Sequence, residues 1–291
     1  MTPITEVAGR RLSLSNLGKV IHPATGTTKG EILHYYAVTS QALLPHVQNR
    51  PVSFLRYPDG PDGQRFFTKN PPPGTPSWVR TTPVPRSDEP DATQIVVTDL
   101  PSLVWAANLV VEFHTPQWTA DEPGMADRLV LDLDPGPPAG MSECCAVARW
   151  LRSRLAADGL DAYAKTSGAK GLHLLVPIEP TPSDQVSAYA KALALEGEAA
   201  LPRLILHRMN RVLRPGKVFV DHSQNAAAKT TAAPYTLRAR TEPTVSTPIT
   251  WEEVEAARDL VFRLEDIAPR LSRFGDLMSP LTDPARARPL P

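Results

Sequence analysis

An apolar run that ends in two aspartates and Pro-Gly, LVLDLDPGP, restricts this chain more than any other feature of its sequence. Alternate side chains of a β-strand share a face, so Asp132 and Asp134 project together while Leu131 and Leu133 pack behind them. Two carboxylates this close repel each other, and burial raises their pKa values unless a cation lies between them. Magnesium or manganese suits carboxylate oxygens. Because a lone D-x-D is also typical of caps, turns and exposed surface, this interpretation needs a third ligand.

A second apolar run, VFVD, has the same design and ends at Asp221. An adjacent antiparallel strand could bring Asp221 against Asp132 and Asp134. Three carboxylates can hold two metal ions roughly 3.5–4 Å apart, the arrangement that stabilises both the attacking and the leaving oxygen of an in-line phosphoryl displacement. The two runs together predict a site that transfers nucleotides.

The sequence KTSGAKGLHLLVP lies between these two runs. Its glycines permit a tight turn that exposes backbone N–H groups to an anion, with Ser167 and Lys170 as further partners for phosphate. His173 follows on the next strand. An ordinary hairpin with a satisfied core histidine explains the same residues when the segment is taken alone.

The charges of the chain sum to zero but are segregated along it. Residues 1–80 contain 9 Lys or Arg against 4 Asp or Glu, residues 201–240 contain 8 against 1, and residues 86–134 contain 2 against 10. Such a chain could fold to an electropositive groove beside a carboxylate site, which suits phosphate and metal chemistry. Scattered, solvated surface charge is the alternative explanation.

Membrane and secreted classes are disfavoured. No apolar stretch reaches the roughly 18 residues that span a bilayer, and the N-terminus lacks the apolar core of a secretory signal. The only cysteines, Cys144 and Cys145, are adjacent and give neither a disulfide framework nor metal-ligand spacing, so we expect them to pack inside a helix. We expect a cytoplasmic protein that does not bind membranes.

Strands that alternate with helices and hairpins predict an α/β or α+β fold with the motifs at strand ends. We predict a helix over 27–47, a hairpin from RPVSFLRYPDG and RFFTKN, a strand, helix and strand ending near His114, a helix ending at Gly159, two strands joined by SGAKG, and a helix over 183–209.

The motifs DLD, SGAKGLH and VFVDHSQN with APYTLRAR resemble, in this order and spacing, the three motifs of the archaeo-eukaryotic primase superfamily. They are most similar to the polymerase domain attached to bacterial end-joining DNA ligases, and flanking segments such as SNLGKVIHP, TTKGEILHYY and FFTKN extend the resemblance over nearly the whole chain. It implies a central, mostly antiparallel sheet with flanking helices and an N-terminal α/β lobe. We expect one primase-polymerase domain over 1–280, with a DNA-end-binding part over 1–85, a catalytic part over 86–280, and a tail over 281–291.

The resemblance also implies roles for individual residues. Asp132, Asp134 and Asp221 would bind two divalent ions, manganese or magnesium. Lys19 and Lys29 would bind the 5′-phosphate of a gap or break, and Phe66 and Phe67 would stack on template bases, a contact worth roughly 1–3 kcal/mol per base. The nucleoside triphosphate would be bound by Arg56, His114, Ser167, Lys170, His173, Gln224 and Arg238.

Two of these assignments have simpler alternatives. Lys19 and Lys29 could be solvated lysines. Phe66 and Phe67 are adjacent, so on a strand they face opposite sides, and we expect at least one of them to lie in the core.

The function implied is template-directed addition of ribonucleotides or deoxyribonucleotides to DNA 3′ ends, at short gaps or bridged double-strand breaks that carry a 5′-phosphate. The partners implied are DNA, NTP or dNTP, and in addition a Ku-type protein and a DNA ligase, in a bacterial cytoplasm near the nucleoid. A non-catalytic module that bridges DNA ends, and a metal-dependent phosphoesterase, remain as alternatives.

Overall fold

The structure is a computed structural model that describes residues 4–86, 89–258 and 260–291. The chain divides into two compact units, each built from several segments of sequence. Unit 1 comprises 1–115, 232–245 and 262–275, and unit 2 comprises 116–231, 246–261 and 276–291. This division by packing differs from the functional division at residue 85 expected from the sequence, which stays a prediction.

Strands and helices alternate along both units. The strands are β1 (Ile4–Val7), β2 (Arg10–Ser13), β3 (Val20–His22), β4 (Thr27–Thr28), β5 (Pro51–Arg56), β6 (Phe66–Thr68), β7 (Thr81–Pro83), β8 (Thr93–Val96), β9 (Val111–Thr115), β10 (Met125–Pro135), β11 (Tyr163–Thr166), β12 (Leu172–Pro182), β13 (Ile205–Leu206), β14 (Val218–Asp221), β15 (Thr231–Ala232) and β16 (Pro248–Ile249). The helices are α1 (Lys29–Val38), α2 (Ser40–Val47), α3 (Leu100–Ala107), α4 (Met141–Ala157), α5 (Ser183–Ala200), α6 (Trp251–Ala256) and α7 (Leu264–Phe274). Short 3₁₀ helices cover Arg211–Leu213, His222–Asn225, Ser279–Thr282 and Pro284–Arg286.

Unit 1 is built on a sheet of order β15-β9-β5-β8-β7, with β6 paired to β5. The predicted hairpin of β5 and β6 and the predicted strand, helix and strand ending near His114 are both confirmed. Tyr36, Phe54 and Phe113 pack edge to face in its core, with ring centroids 5.2 Å apart for Tyr36 and Phe113 and 5.7 Å apart for Phe54 and Phe113. Each such pair contributes about 0.5–1.5 kcal/mol beyond its buried area, which fixes β5 against β9.

The helix predicted over 27–47 is two helices. It begins as expected, because Thr28 is the N-cap of α1 and forms a capping box with Glu31. It breaks at Thr39, whose hydroxyl donates to the carbonyl of Tyr35 at 2.8 Å and so competes with the helical hydrogen bonds of the last turn.

Unit 2 is built on a six-stranded sheet of order β13-β14-β10-β12-β11-β16, in which only the pair of β13 and β14 is parallel among the described strands. Leu131 and Leu133 are fully buried, and α4 and α5 pack against β10. Cys144 and Cys145 lie buried in α4, as predicted. The opposite face of β10 carries Val130, which packs with Met278. The two aspartates of β10 therefore share a face with Val130 and not with the leucines.

The prediction of a helix over 183–209 is wrong beyond residue 200. Helix α5 ends at Ala200, and Ile205 and Leu206 form β13 instead. Pro202 supplies the reason, because a proline disfavours helical backbone at the preceding residue, here Leu201. The helical apolar pattern continues through this segment, but its buried residues pair with β14.

The predicted tail over 281–291 belongs to unit 2 and packs on its sheet. Leu281 is buried beside Val130 and Leu175, and Glu179 donates its backbone N–H to the carbonyl of Arg288 at 3.0 Å. Within the described ranges, no helix combines the length and apolar character needed to cross a bilayer.

Candidate catalytic site

Four side chains lie in one row across the sheet of unit 2. Lys165 pairs with His173, His173 with Asp132, and Asp132 with Asp221, as direct partners on β11, β12, β10 and β14. Direct partners on antiparallel strands project from the same face, with Cβ atoms about 4.5–5.5 Å apart. We call these four residues the cross-strand row. The predicted approach of Asp221 to Asp132 by strand pairing is confirmed.

Two side-chain contacts along the cross-strand row are direct. The Nε2 atom of His173 lies 3.3 Å from an Asp132 oxygen, and its Nδ1 atom lies 3.0 Å from the Lys165 ammonium. His173 is 4% exposed and Lys165 is fully buried. Both ring nitrogens of this buried histidine have partners, as the alternative of a satisfied core histidine also predicts, so the contact of His173 with phosphate stays a prediction.

Asp134 lies two residues beyond Asp132 on the same face of β10. Burial raises the pKa of the Asp134 carboxyl, and the nearby charge of Asp221 raises it further. Arg214 and Lys170 act in the opposite direction, with an Arg214 nitrogen 3.7 Å from the carboxylate. Burial is the largest cause of the raised pKa, and the contribution of Asp221 is the repulsion expected when carboxylates share a site. Arg214 also lies over the ring of Phe219 at 4.1 Å, and sequence reasoning gave it no role.

Asp221 is held at the strand end by three donors. Its Oδ1 accepts the backbone N–H of Ser223 at 3.0 Å and the Ser223 hydroxyl at 2.6 Å, and its Oδ2 accepts the Gln224 amide at 2.9 Å. Gln224, predicted to bind nucleotide, thus orients an aspartate in the structure. Its contact with nucleotide stays a prediction.

The three carboxylates fit a hard cation in their chemistry but are not gathered around one. Across the described residues, no three His, Cys, Asp or Glu side chains are arranged to hold a metal ion. Asp134 faces Arg214, and the Asp221 carboxylate accepts hydrogen bonds from Ser223 and Gln224. Each carboxylate oxygen keeps a second lone pair when it accepts one hydrogen bond, so these contacts do not prevent ligation. The register that sets Asp132 opposite Asp221, with Asp134 on the same face of β10, is the observation that favours a cation here.

The turn after β11 is built around a serine hydroxyl. Ser167 Oγ accepts the backbone N–H groups of Ala169 and Gly171, each at 3.2 Å, and Gly168 adopts a φ of 69°. The expectation that these N–H groups face an anion is therefore wrong for Ala169 and Gly171. A Cβ on Gly171 would overlap the carbonyl of Leu133, so only glycine fits where β12 starts. Lys170 is exposed at the tip of the turn.

A buried carboxylate of unit 1 braces two predicted nucleotide ligands, and sequence reasoning missed it. Glu112 accepts from Arg238 at 2.8 Å and from the backbone N–H of Ala239 at 2.6 Å, and it lies 2.9 Å from His114 Nε2. Burial opposes its charge, but the His114 hydrogen bond and the charges of Arg238 and His114 outweigh burial and lower the pKa of Glu112 to about 2. The spacing E-x-H on one strand, which puts Glu112 and His114 on one face, was the available signal.

The aromatic pair of β6 differs from expectation. Phe66 is 39% and Phe67 is 53% exposed, so the prediction that at least one lies in the core is wrong. The reason is that β6 pairs with β5 alone and lies off the main path of its sheet. Phe67 contacts His114 edge to face at 6.1 Å and, with Arg56, lines a cavity of about 630 Å³.

The two predicted phosphate-binding lysines lie near each other in unit 1. Lys19 is exposed and binds Asp59 at 2.6 Å, whereas Lys29 is buried at the first turn of α1 and donates to Ser15 at 3.2 Å. Burial lowers the pKa of Lys29, and the charge of Lys19 lowers it further. Lys29 is therefore not the solvated lysine of the alternative explanation.

The contacts of Glu112 with Arg238, Ala239 and His114 predict that the stability of the folded chain falls in acid. The pKa of Glu112 lies below its unfolded value of about 4.5, so its charge stabilises the folded chain above that pH and this contribution is lost as pH falls toward 2. We expect the free energy of unfolding to lose up to ~3 kcal/mol through this group. Denaturant titrations from pH 6 to 2.5 should therefore be less steeply pH-dependent for Glu112→Gln than for wild type.

The exposed residue Glu6 provides the matched control. Glu6→Gln should keep the wild-type dependence on pH. If the free energy of unfolding of Glu112→Gln falls with pH in parallel with that of wild type, the Glu112 charge does not stabilise the fold as predicted.

Comparisons with known proteins agree with this geometry. Residues 28–278 match the family model described as LigD, primase-polymerase domain. The multifunctional non-homologous end joining protein LigD of Mycolicibacterium smegmatis is 40% identical over 275 residues, covering 93% of this chain and 36% of the relative. That of Mycobacterium bovis is 42% identical over 285 residues, covering 94% and 37%. The chain thus spans little more than a third of the length of these relatives.

A solved structure of the polymerase domain of Mycobacterium tuberculosis ligase D in complex with DNA matches with a TM-score of 0.90 and 40% identity, over 94% of this chain and 98% of the other. The resemblance and the mixed α/β fold class predicted from the sequence are confirmed. Because the matched segment covers most of the chain and contains all three aspartates, the chain belongs to the family of LigD primase-polymerase domains.

Proposed function

We propose that this chain adds nucleotides to DNA 3′ ends in a template-directed reaction, at short gaps or bridged double-strand breaks that carry a 5′-phosphate. Membership of a primase-polymerase family supports the reaction class. The observation that carries the proposal is the register that sets Asp132 opposite Asp221, with Asp134 on the same face. Three carboxylates at adjacent strand ends are the ligand set that nucleotidyl transfer with two divalent ions requires.

Asp132, Asp134 and Asp221 are the proposed ligands of two manganese or magnesium ions. When bound, such ions lower the pKa of an attacking hydroxyl and neutralise a leaving pyrophosphate. The contacts of Ser223 and Gln224 hold Asp221 in the orientation that its strand end dictates.

The triphosphate is proposed to contact residues beside the carboxylates in unit 2. The Ser167 hydroxyl and the His173 N–H are neutral donors to phosphate oxygens, and the exposed Lys170 supplies charge that stabilises the transition state. Arg238 and His114 are proposed as nucleotide ligands of unit 1. Their shared contact with Glu112 restricts both side chains before any ligand binds, which reduces the entropy lost on binding. Arg56 is a further proposed ligand.

DNA is proposed to bind unit 1 through charge and stacking. Lys29 would meet the 5′-phosphate as a partly desolvated ammonium, which strengthens the ion pair, and Lys19 would exchange Asp59 for phosphate. Exposed Phe66 and Phe67 provide aromatic faces for template bases. By analogy with the names of its relatives, the chain would act in the non-homologous joining of broken ends. A DNA ligase and a Ku-type protein stay proposed partners, as the sequence resemblance implies.

Nucleotide addition is expected to depend on the carboxylates. Wild type with manganese, labelled ribonucleotides and a gapped 5′-phosphorylated duplex should extend the primer by one or a few residues. Asp134→Ala should reduce the rate at least about 100-fold, the usual effect of removing a group that acts in the transition state. Primer extension resolved on denaturing gels measures this rate.

Asp161→Asn is the matched control, since Asp161 is an exposed aspartate of the same unit. Wild-type extension in Asp134→Ala would favour a non-catalytic end-bridging module. Release of nucleotides from DNA without triphosphate would favour a phosphoesterase.

The predicted 5′-phosphate contact can be tested separately from catalysis. Lys29→Ala should weaken binding to a gap with a 5′-phosphate by about 10- to 150-fold, because a charge-assisted contact worth roughly 1.5–3 kcal/mol is lost. On a gap with a 5′-hydroxyl the variant should match wild type. Fluorescence anisotropy with the two duplexes measures both affinities.

Lys191→Ala, at an exposed lysine of α5, controls for general loss of positive charge. Equal losses by Lys29→Ala on both duplexes would contradict the assignment.

A further inference from the structure

Lys165 is a fully buried cation to which neither the sequence motifs nor the proposed function gives a role. Its ammonium lies 3.0 Å from His173 Nδ1 and donates to the hydroxyl of Ser246 at 2.6 Å. Ser246 is itself fully buried and donates its single hydroxyl hydrogen to the carbonyl of Thr166 at 2.9 Å. The ammonium is thus held between two side chains at the β11 end of the cross-strand row.

The donor inventory of these groups fixes the direction of each hydrogen bond. The Ser246 hydrogen is committed to Thr166, so the Ser246 oxygen accepts from Lys165. A lysine ammonium has three donors and no acceptor, so the Nδ1 atom of His173 must accept as well. An accepting Nδ1 carries a lone pair and no proton. The ring proton of His173 therefore lies on Nε2, which faces Asp132.

We propose that Lys165 is a positioning residue that fixes His173 as the neutral tautomer with its proton on Nε2. The tautomer of a histidine is set by the hydrogen bond that its other nitrogen makes. Register places the ammonium there, because Lys165 and His173 are direct partners on β11 and β12. A side chain at residue 165 that cannot donate would leave the tautomer of His173 to the longer contact between Nε2 and Asp132, at 3.3 Å.

This assignment determines what His173 can do on the carboxylate face. A protonated Nε2 has no lone pair, so it cannot ligate a metal ion and cannot act as a base. It donates a hydrogen bond, to Asp132 and, if the proposed function holds, to a phosphate oxygen of the triphosphate. The tautomer assignment itself stands on the structure alone, whereas the effect on triphosphate rests on the proposed function.

A second buried histidine supplies an internal reference of the opposite kind. The Nδ1 atom of His22 lies 3.0 Å from the carbonyl of Arg240, which can only accept, so His22 carries its proton on Nδ1. Burial lowers the pKa of His22 against two backbone hydrogen bonds that raise it, so the ring is neutral near neutral pH. His22 and His173 should therefore give opposite nitrogen patterns in one spectrum.

The test is long-range ¹H–¹⁵N correlation NMR on the full chain labelled at histidine nitrogen, near neutral pH and without added metal. Variants His173→Gln and His22→Gln assign the two rings among the seven histidines. We expect His173 to show a bare Nδ1 and a protonated Nε2, and His22 to show the reverse. A protonated Nδ1 in wild-type His173 overturns the proposal without any variant at residue 165.

Two variants then separate the donor from the buried polar network. Lys165→Met keeps the length of the side chain and removes its donors, so the Nε2–H signature should be lost or mixed with the other tautomer. Ser246→Ala removes the neighbouring contact but keeps the ammonium, so the signature should remain. Loss of the signature in Ser246→Ala, or its full retention in folded Lys165→Met, overturns the role of Lys165.

The kinetic readout addresses the triphosphate. In the primer-extension assay, Lys165→Met should raise KM for the nucleoside triphosphate by about tenfold or more, since a hydrogen bond to a charged group is worth roughly 1.5–3 kcal/mol. An unchanged KM with a lost Nε2–H signature would overturn the phosphate contact of His173. An inactive wild type with the expected spectrum would refute the proposed function and support the tautomer assignment.

Discussion

The antiparallel register of β10 between β12 and β14 is the constraint from which the rest of the site follows. It sets Asp132 between His173 and Asp221, and it places Asp134 one pleat further along the same face. A slip of one residue would turn both β10 aspartates toward the leucine face, where α4 and α5 pack. Burial of Leu131 and Leu133 therefore fixes the carboxylates as firmly as any contact of their own.

In each unit, a buried charged side chain contacts a ring nitrogen of a histidine at the proposed site. Glu112 bonds to Nε2 of His114, and Lys165 bonds to Nδ1 of His173. Glu112 can only accept, so Nε2 of His114 carries a proton. Lys165 donates, so Nδ1 of His173 carries none. Removing either charge leaves a buried partner without a hydrogen bond, so both positions are expected to tolerate substitution poorly.

The sequence predicted the motif strands, the pairing of Asp221 with Asp132 and the hairpin of β5 and β6, because apolar runs with polar ends report strand faces directly. It failed where a tertiary contact or a local bond overrides the pattern. Pro202 diverts a helical pattern into β13, and Thr39 divides one predicted helix into two. Exposure of both Phe66 and Phe67 reflects a strand with a single neighbour, and the roles of Glu112 and Lys165 depend on partners distant in sequence.

The claim that Asp132, Asp134 and Asp221 hold divalent ions is tested most directly by anomalous diffraction from crystals soaked with manganese and a non-hydrolysable nucleoside triphosphate. The account predicts two manganese peaks, each within ligand distance of these carboxylates, with Asp134 released from Arg214. Peaks elsewhere on the protein, or none at these three side chains at saturating manganese, would contradict it.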